Sequence, residues 1–476
     1  MLKRLIGDFG IYGIAPIIPK VAGVAVLPLI TPFLTKEDYG LYGIVMAYTG
    51  FFGAFYTLGL FVTLSNSFYK SRLQHKWLWR QVYGFLSLWN VAFAGIVTAV
   101  LYFAIPESAD AQRWSIIGLN VIPLVLFGPT EKLATLYYQL RRKPLEIGLR
   151  GAIFGILNLV LVLVTIRYLR MGYMGWFWAL FVTQTLTNLS WWIPLNLRDG
   201  ITPIFNFKWR TLRRALAVGL PVVPHQNAQF MLDQSDRIVM DLTEVSARNI
   251  GSYTVAYQGA QVFSTLSLAF SRAMAPQILE LLQQQRERLL RRIIFGSQAI
   301  FLVALLLYAC FAKEFFAFLF RNDGLNEVYQ LSVIICAALA STPMYMGANN
   351  RLFYHERTKT IGLQSLYAAV LNVGLNFIFI PRYGITAAAV TTLLSYLFLA
   401  YSRYYSATYR DVAERRYYPT RWLLATVAMA AGAYFISGTG LSTRLWVAGA
   451  ALLSAFFLGL QARRLLVLAR QPEREP

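Results

Sequence analysis

Apolar runs of about 20 residues recur from one end of this 476-residue chain to the other, each long enough to cross about 30 Å of hydrocarbon. A backbone inside a bilayer must satisfy its own hydrogen bonds, so runs of this length point to a bundle of membrane-spanning α-helices. A β-barrel strand would alternate apolar and polar residues over about ten positions, whereas Ala152 to Ile166 and Ala299 to Phe311 are apolar on all sides. The barrel is excluded. Hydrophobic residues make up 57% of the chain and charged ones 14%, which leaves no stretch polar enough for a soluble domain.

The 44 Lys and Arg outnumber 22 Asp and Glu, for a net charge of +22. In a soluble chain that excess suggests nucleic acid, but here the distribution gives a simpler account. About 31 of the 44 fall in alternate loops and the two termini, about nine in the other loops and about four inside spans. Clusters such as Arg141, Arg142 and Lys143, or Arg286, Arg288, Arg291 and Arg292, mark that side as cytoplasmic, place both termini inside and suit contact with lipid headgroups. No nucleic-acid partner is expected. The N-terminus joins a basic start to an apolar stretch, as a secretory signal does, but Lys20 interrupts it and no small-residue cleavage site comes after it. A retained first helix is expected. Cys310 and Cys336 lie in apolar runs and read as core residues.

The apolar runs resolve into about fourteen helices, and the sequence repeats. Pro16-Ile17-Ile18-Pro19-Lys20 and Pro221-Val222-Val223-Pro224-His225 are near copies roughly 205 residues apart, each in the first helix of a run of about six. Tyr39-Gly40 opening the second predicted helix is echoed by Ile250-Gly251 opening the eighth. Gly148-Leu149 and Leu157-Asn158 return as Gly362-Leu363 and Leu371-Asn372. The fold expected is an all-α polytopic membrane protein of two six-helix lobes related by pseudo-twofold symmetry, plus a C-terminal helix pair. Its divisions are residues 1–197 for the first lobe, 198–214 for a cytoplasmic linker, 215–406 for the second lobe and 407–476 for the last two helices and a cytoplasmic tail. An even number of helices per half puts the symmetry axis along the membrane normal and the expected site in the cleft between lobes.

A charge near the bilayer centre costs about 2.5 to 3.5 kcal/mol on insertion scales and calls for a partner or a wet cavity. Lys20 and His225 each lie about 16 Å from the inner end of their helix, at equivalent positions of the repeat, beside prolines that free backbone carbonyls. The seventh helix carries Asp233, Asp236, Arg237 and Asp241, with Asp233, Arg237 and Asp241 on one face, where acid and base neutralise one another. A structural ion-pair rung explains that ladder as well as function does. Arg272, Glu131 and Lys132 fall nearer the cytoplasmic ends, where snorkelling is an equal account. Gln226, Asn227 and Gln229, then Gln258 and Gln261, then Asn372 and Asn376 supply amides for interhelical bonds or a hydrated groove. Tyr253 and Tyr257 sit one turn apart, for packing or for sugar faces. His75, His225 and His355 are the only histidines; no metal-ligand spacing, phosphate-cradling loop or nucleophile elbow occurs, so neither catalysis nor a cofactor is expected.

Gly219-Leu220-Pro221, Asp236-Arg237-Ile238-Val239-Met240, Ile250-Gly251-Ser252-Tyr253-Thr254-Val255-Ala256-Tyr257 and Ala275-Pro276 resemble the second lobe of bacterial oligosaccharide flippases of the Wzx type, in the MOP (MATE-like) exporter superfamily. Asn372, Asn376, Pro381, Gly384 and Ala387 to Ala389 fit the same pattern, as do Tyr39-Gly40 and Leu58-Gly59-Leu60 in the first lobe. The resemblance implies movement of an undecaprenyl-pyrophosphate-linked saccharide, of the O-antigen or a related polysaccharide, from the inner to the outer leaflet of the bacterial inner membrane. It also implies association with polysaccharide polymerase machinery. On this reading Lys20, with His225 and Arg237, meets pyrophosphate; Arg272 is a further substrate contact; Gln226, Asn227, Tyr257 and Asn372 receive sugars; and Asp233 or Asp236 carries proton or sodium coupling. Murein-precursor flippases share the plan but usually carry more first-lobe arginines than the lone Lys20. Drug antiporters usually have twelve helices and a first-helix carboxylate. Both stay as alternatives.

Overall fold

Runs this apolar fold into helices, and the structure, a computed structural model, describes residues 17–70, 75–413 and 415–470, without the side chains of 17, 18, 20, 21, 54, 70, 225, 226, 229, 323 and 461–470. Helices cover nearly all of these residues, and no strand occurs among them. The first compact unit, Met1–Gly251, holds α1 (Ile17–Ile30), α2 (Lys36–Gly53), α3 (Phe61–Lys70), α4 (His75–Ala104), α5 (Arg113–Phe127), α6 (Thr130–Leu140), α7 (Pro144–Leu163), α8 (Met174–Ile193), α9 (Trp209–Gly219) and α10 (Val223–Leu242). In the stretch Ala247–Gln283, α11 begins in this unit and continues into the second, Ser252–Pro476. Next come α12 (Glu287–Leu319), α13 (Tyr329–Leu339), α14 (Thr342–Tyr354), α15 (Thr358–Tyr405), α16 (Ala407–Val412), α17 (Pro419–Ser437) and α18 (Leu441–Arg470).

Among the described residues 7 helices are long and apolar enough to cross a membrane singly, and the bent pair Glu107–Phe127 and Thr130–Leu140 adds an eighth. α15 counts once there although it contains two of the spans expected from sequence, divided at Gly384 (φ 62°, ψ −146°). α7 shows how such a helix meets lipid. Leu149, Ile153, Ile156 and Val160 form an exposed apolar stripe at helical spacing, stable only against acyl chains.

The repeat is visible in the backbone. Gly172 and Gly384 both take positive φ, Gly172 between α7 and α8 and Gly384 at the kink inside α15. Arg142 and Glu356 do the same just before α7 and α15. The Tyr39-Gly40 and Ile250-Gly251 echoes touch: a Cβ on Gly251 would lie 1.7 Å from the Lys36 carbonyl oxygen and 2.9 Å from the Gly40 nitrogen. Only glycine permits that approach. Thr35 and Asp38 cap α2 reciprocally, the Thr35 amide donating to Asp38 Oδ2 at 2.7 Å and the Asp38 amide to Thr35 Oγ1 at 3.2 Å.

Residues 198–208 are strapped to the first unit. Asp199 accepts from the Tyr138 hydroxyl (2.9 Å) and pairs with Arg141, Arg80 Nε donates to the Thr202 carbonyl (3.1 Å), and Gln81 Nε2 to that of Asn206 (2.8 Å). α10, expected to open a second lobe, packs along α2 in the first unit. The line between packed units thus falls later in the chain than the line between repeats. Two apolar clusters hold the first unit. One gathers Val45, Phe93, Val97, Ile117 and Phe177; the other gathers Leu58, Leu60, Tyr83, Leu133 and Trp191. The second unit is built around Ile278, Ile294, Met344, Tyr401 and Tyr404.

Candidate functional site

In the fourth expected span the run Phe127-Gly128-Pro129-Thr130 ends one helix and starts another at 52° to it. Gly128 stands at φ 48°, ψ −139°, a region that side chains disfavour, and Pro129 has no amide to donate. The carbonyls this break releases find side-chain donors. Thr130 Oγ1 donates to the Phe127 carbonyl, Tyr56 OH to that of Gly128, and the hydroxyls of Tyr83 and Thr130 lie 2.6 Å apart. Tyr56 comes from a second interruption, in residues 54–60, where Leu58 and Gly59 both take positive φ. One hydrogen bond therefore ties the break in the second span to the break in the fourth.

Beside these breaks, against the apolar cluster of Phe93, Val97 and Phe177, is a cavity of about 390 Å³. α2, α4, α5, α6 and α8 all contribute to its wall. Thr49, Asn120, Glu131, Lys132, Gln184 and Asn188 make it polar; Tyr56, Phe93 and Phe177 give it aromatic surface. The Glu131 amide donates to Asn188 Oδ1 (3.3 Å), Asn188 Nδ2 to the Gln184 carbonyl (2.9 Å), and Asn120 Nδ2 to the Ile116 carbonyl (2.8 Å). Among the described residues neither the Glu131 carboxylate nor the Lys132 ammonium has an ion-pair partner. Glu131 is half-buried and Lys132 exposed, so this acid and base at the start of α6, unpaired within the described protein, are met by water or a polar ligand.

Of the substrate and coupling residues selected from sequence, none of those described lines this cavity. The side chains of Lys20, His225 and Gln226 are outside the described set. On α10, Asn227, Asp236 and Arg237 are buried and Asp233 half-buried, with Arg237 Nη1 donating to Gln234 Oε1 at 2.8 Å. Asp241 accepts from the Tyr48 hydroxyl of α2 at 2.7 Å, so the third rung of the Asp233, Arg237, Asp241 ladder serves an α2–α10 contact. In the second unit Tyr257 packs on Tyr253, ring centroids 5.2 Å apart, and Arg272 is exposed. Asn372 is fully buried and accepts from Asn376 Nδ2 at 3.2 Å, and Thr391 donates to Asn376. Glu131 and Lys132 were legible as charges, but length along the chain did not separate them from snorkelling residues. The signal that finds them is Gly128-Pro129, a breaker pair in the middle of an apolar run, with both charges in the first turn after it.

The strongest charge clusters of the second unit are structural. Arg351, fully buried, pairs with Glu287 and reaches Tyr417 OH at 3.1 Å and the Val412 carbonyl at 3.2 Å; burial pushes the Tyr417 hydroxyl up to about 12 against the opposing pull of Arg351. Arg403 donates to Asn349 Oδ1 (2.8 Å) and Ser365 Oγ (3.1 Å), and Arg444 grips both Glu314 oxygens (2.7 and 2.8 Å). No cluster of three or more His, Cys, Asp or Glu able to hold a metal occurs among the described residues.

Known proteins share both sequence and fold. Residues 5–282 match the family of polysaccharide biosynthesis proteins. The Lsg locus putative protein 1 of Haemophilus influenzae is 25% identical over 196 residues, 40% of this chain and 48% of that protein. The chain spans less than half the length of the curated relatives it matches. Among solved structures, the lipid II flippase MurJ in an inward closed conformation superposes with a TM-score of 0.66 at 13% identity, covering 89% of this chain and 97% of that one. An inward-facing multidrug resistance MATE family transporter of the MOP superfamily gives 0.59 at 14% identity, covering 86% and 99%. Such identities establish the fold, that of MOP transporters, and the family match covers more than half of the residues. This multi-pass membrane protein belongs to the polysaccharide biosynthesis protein family.

Proposed function

We propose that the chain moves an undecaprenyl-pyrophosphate-linked oligosaccharide from the cytoplasmic to the periplasmic leaflet of the bacterial inner membrane by alternating access, without catalysing a reaction. Sugar hydroxyls cross hydrocarbon only at a cost of several kcal/mol for lost water partners, so a sheltering polar cavity inside the bundle is the main thing such a protein must provide. The supporting observation is the cavity at the α5–α6 break, with Glu131 and Lys132 unpaired in its wall. Lys20, with His225 and Arg237, is assigned to the pyrophosphate, a task for which an ammonium is suited as a point charge. The polyprenyl tail stays in lipid. Both termini lie in the cytoplasm, and the sequence repeats, residues 1–197 and 215–406, are the bodies that alternate.

Moving an anion out of a negative interior is favoured by about 2.3 kcal/mol per charge per 100 mV, so the potential alone suffices; Asp233 or Asp236 is the place for added proton or sodium coupling. Export of a murein precursor is the rival supported by the MurJ superposition, but that likeness carries fold alone, and the family match favours polysaccharide. The test is transport of a fluorescent undecaprenyl-pyrophosphate oligosaccharide in vesicles holding the purified protein. Wild type moves the lipid and Lys20→Ala slows it at least about tenfold. No movement by wild type overturns the reading, and an unimpaired variant removes Lys20 from it.

A further inference from the structure

We infer that the cavity at the α5–α6 break is a saccharide subsite for about one to two pyranose rings, in which Glu131 reads hydroxyls and Lys132 holds ring or acidic oxygens. This rests on the translocation reading above and names the part of the substrate that the first unit handles. Size is the first argument: about 390 Å³ lies at the small end of ligand sites, room for a short saccharide and not for a glycan repeat of many sugars.

The second argument is unused hydrogen-bonding capacity. Asn120 and Asn188 each give one of two amide hydrogens to the Ile116 and Gln184 carbonyls, and Thr49 gives its hydroxyl hydrogen to the Val45 carbonyl at 2.8 Å. The Asn120 oxygen and the second lone pair of Asn188 Oδ1, which already takes the Glu131 amide, remain as acceptors beside the two Glu131 carboxylate oxygens, and the other amide hydrogen of each Asn remains as a donor. Such a wall suits a ligand rich in hydroxyls, each of which both donates and accepts. The third argument is the aromatic surface of Tyr56, Phe93 and Phe177, against which the C–H faces of a pyranose pack while its hydroxyls reach the polar side chains of the lining. A lipophilic cation, the other ligand an acidic cavity attracts, is opposed by Lys132, which has no acid partner to neutralise it among the described residues.

The experiment separates sugar from lipid. Vesicles holding the full chain are given undecaprenyl pyrophosphate bearing a labelled disaccharide as the transported probe, and sugarless undecaprenyl pyrophosphate as competitor. Glu131→Gln raises the half-saturating concentration of the disaccharide lipid by about tenfold or more, while inhibition by the sugarless lipid stays within about twofold of wild type. Lys132→Gln and Asn120→Leu act in the same direction, and they carry the test if Glu131→Gln elutes or melts abnormally. If all three variants match wild type, or if both constants shift together, the cavity does not sense sugar and the inference is overturned with the translocation reading intact. If wild type moves no disaccharide lipid, it is the translocation reading that falls.

Discussion

In the fourth expected span Phe127-Gly128-Pro129-Thr130 separates α5 from α6; in the tenth, 212 residues later, Leu339-Ala340-Ser341-Thr342 separates α13 from α14. Both breaks turn a threonine hydroxyl back to the carbonyl three residues earlier, Thr130 to Phe127 and Thr342 to Leu339 at 2.6 Å. They differ in the turn, where Gly128 stands at φ 48° and Ala340 at φ −67°, and in the two residues after the threonine. Glu131 and Lys132 stand in a polar cavity at the first break, where Pro343 and the fully buried Met344 occupy the same positions at the second. The second break is also plugged: Gln298, with no exposed surface, donates to the Ala340 carbonyl at 3.0 Å and accepts from the Met344 amide at 3.4 Å. Duplication thus sets where a helix is interrupted. Whether the interruption takes in water and substrate depends on a few side chains, because a break satisfied by protein needs no cavity and a break bearing charges cannot stay dry.

The comparison can be broken by making the first break resemble the second. Glu131→Leu combined with Lys132→Leu is expected to abolish transport in the vesicle assay, by about 100-fold or more, while the melting temperature in detergent holds or rises. Retained transport would mean that the polarity of this cavity is incidental. Smaller, and on stability alone, is the opposite change. Gln298→Leu orphans the Ala340 carbonyl and the Met344 amide, costing about 1–3 kcal/mol for each group left unsatisfied, and should lower the denaturation midpoint with transport per folded molecule unchanged. A midpoint equal to wild type would show that the plug contributes nothing. The smallest effect sharpens the picture. Tyr56→Phe removes the donor to the Gly128 carbonyl, but the adjoining cavity admits water as a substitute, so a loss of about 0.5–1.5 kcal/mol is expected. A loss as large as that of Gln298→Leu would indicate that the first break is as dry as the second.

Much of the architecture was legible in residue order. The helices, their apolar faces and the repeat come from run length, from the Pro16 to Lys20 and Pro221 to His225 copies, and from the paired glycine motifs that meet at Gly40 and Gly251. The site was less so. Depth estimated along a straight helix misplaced the interest of Glu131 and Lys132, because a 52° bend redirects the residues after it. The acid and base ladder on α10 was visible as a pattern, yet Asp241 turned out to serve Tyr48, a neighbour on α2 that no spacing within α10 announces.

Sequence by itself determined that this chain is helical, crosses a membrane many times and is doubled, since hydrocarbon thickness and backbone hydrogen bonding act on each segment locally. Tertiary structure decided which of its charges share a cavity. Thr49, Tyr56, Asn120, Glu131 and Gln184 come from elements far apart in the chain and converge only once α2, α5, α6 and α8 pack, and the polarity of an enclosed space is a property of that convergence rather than of any one helix.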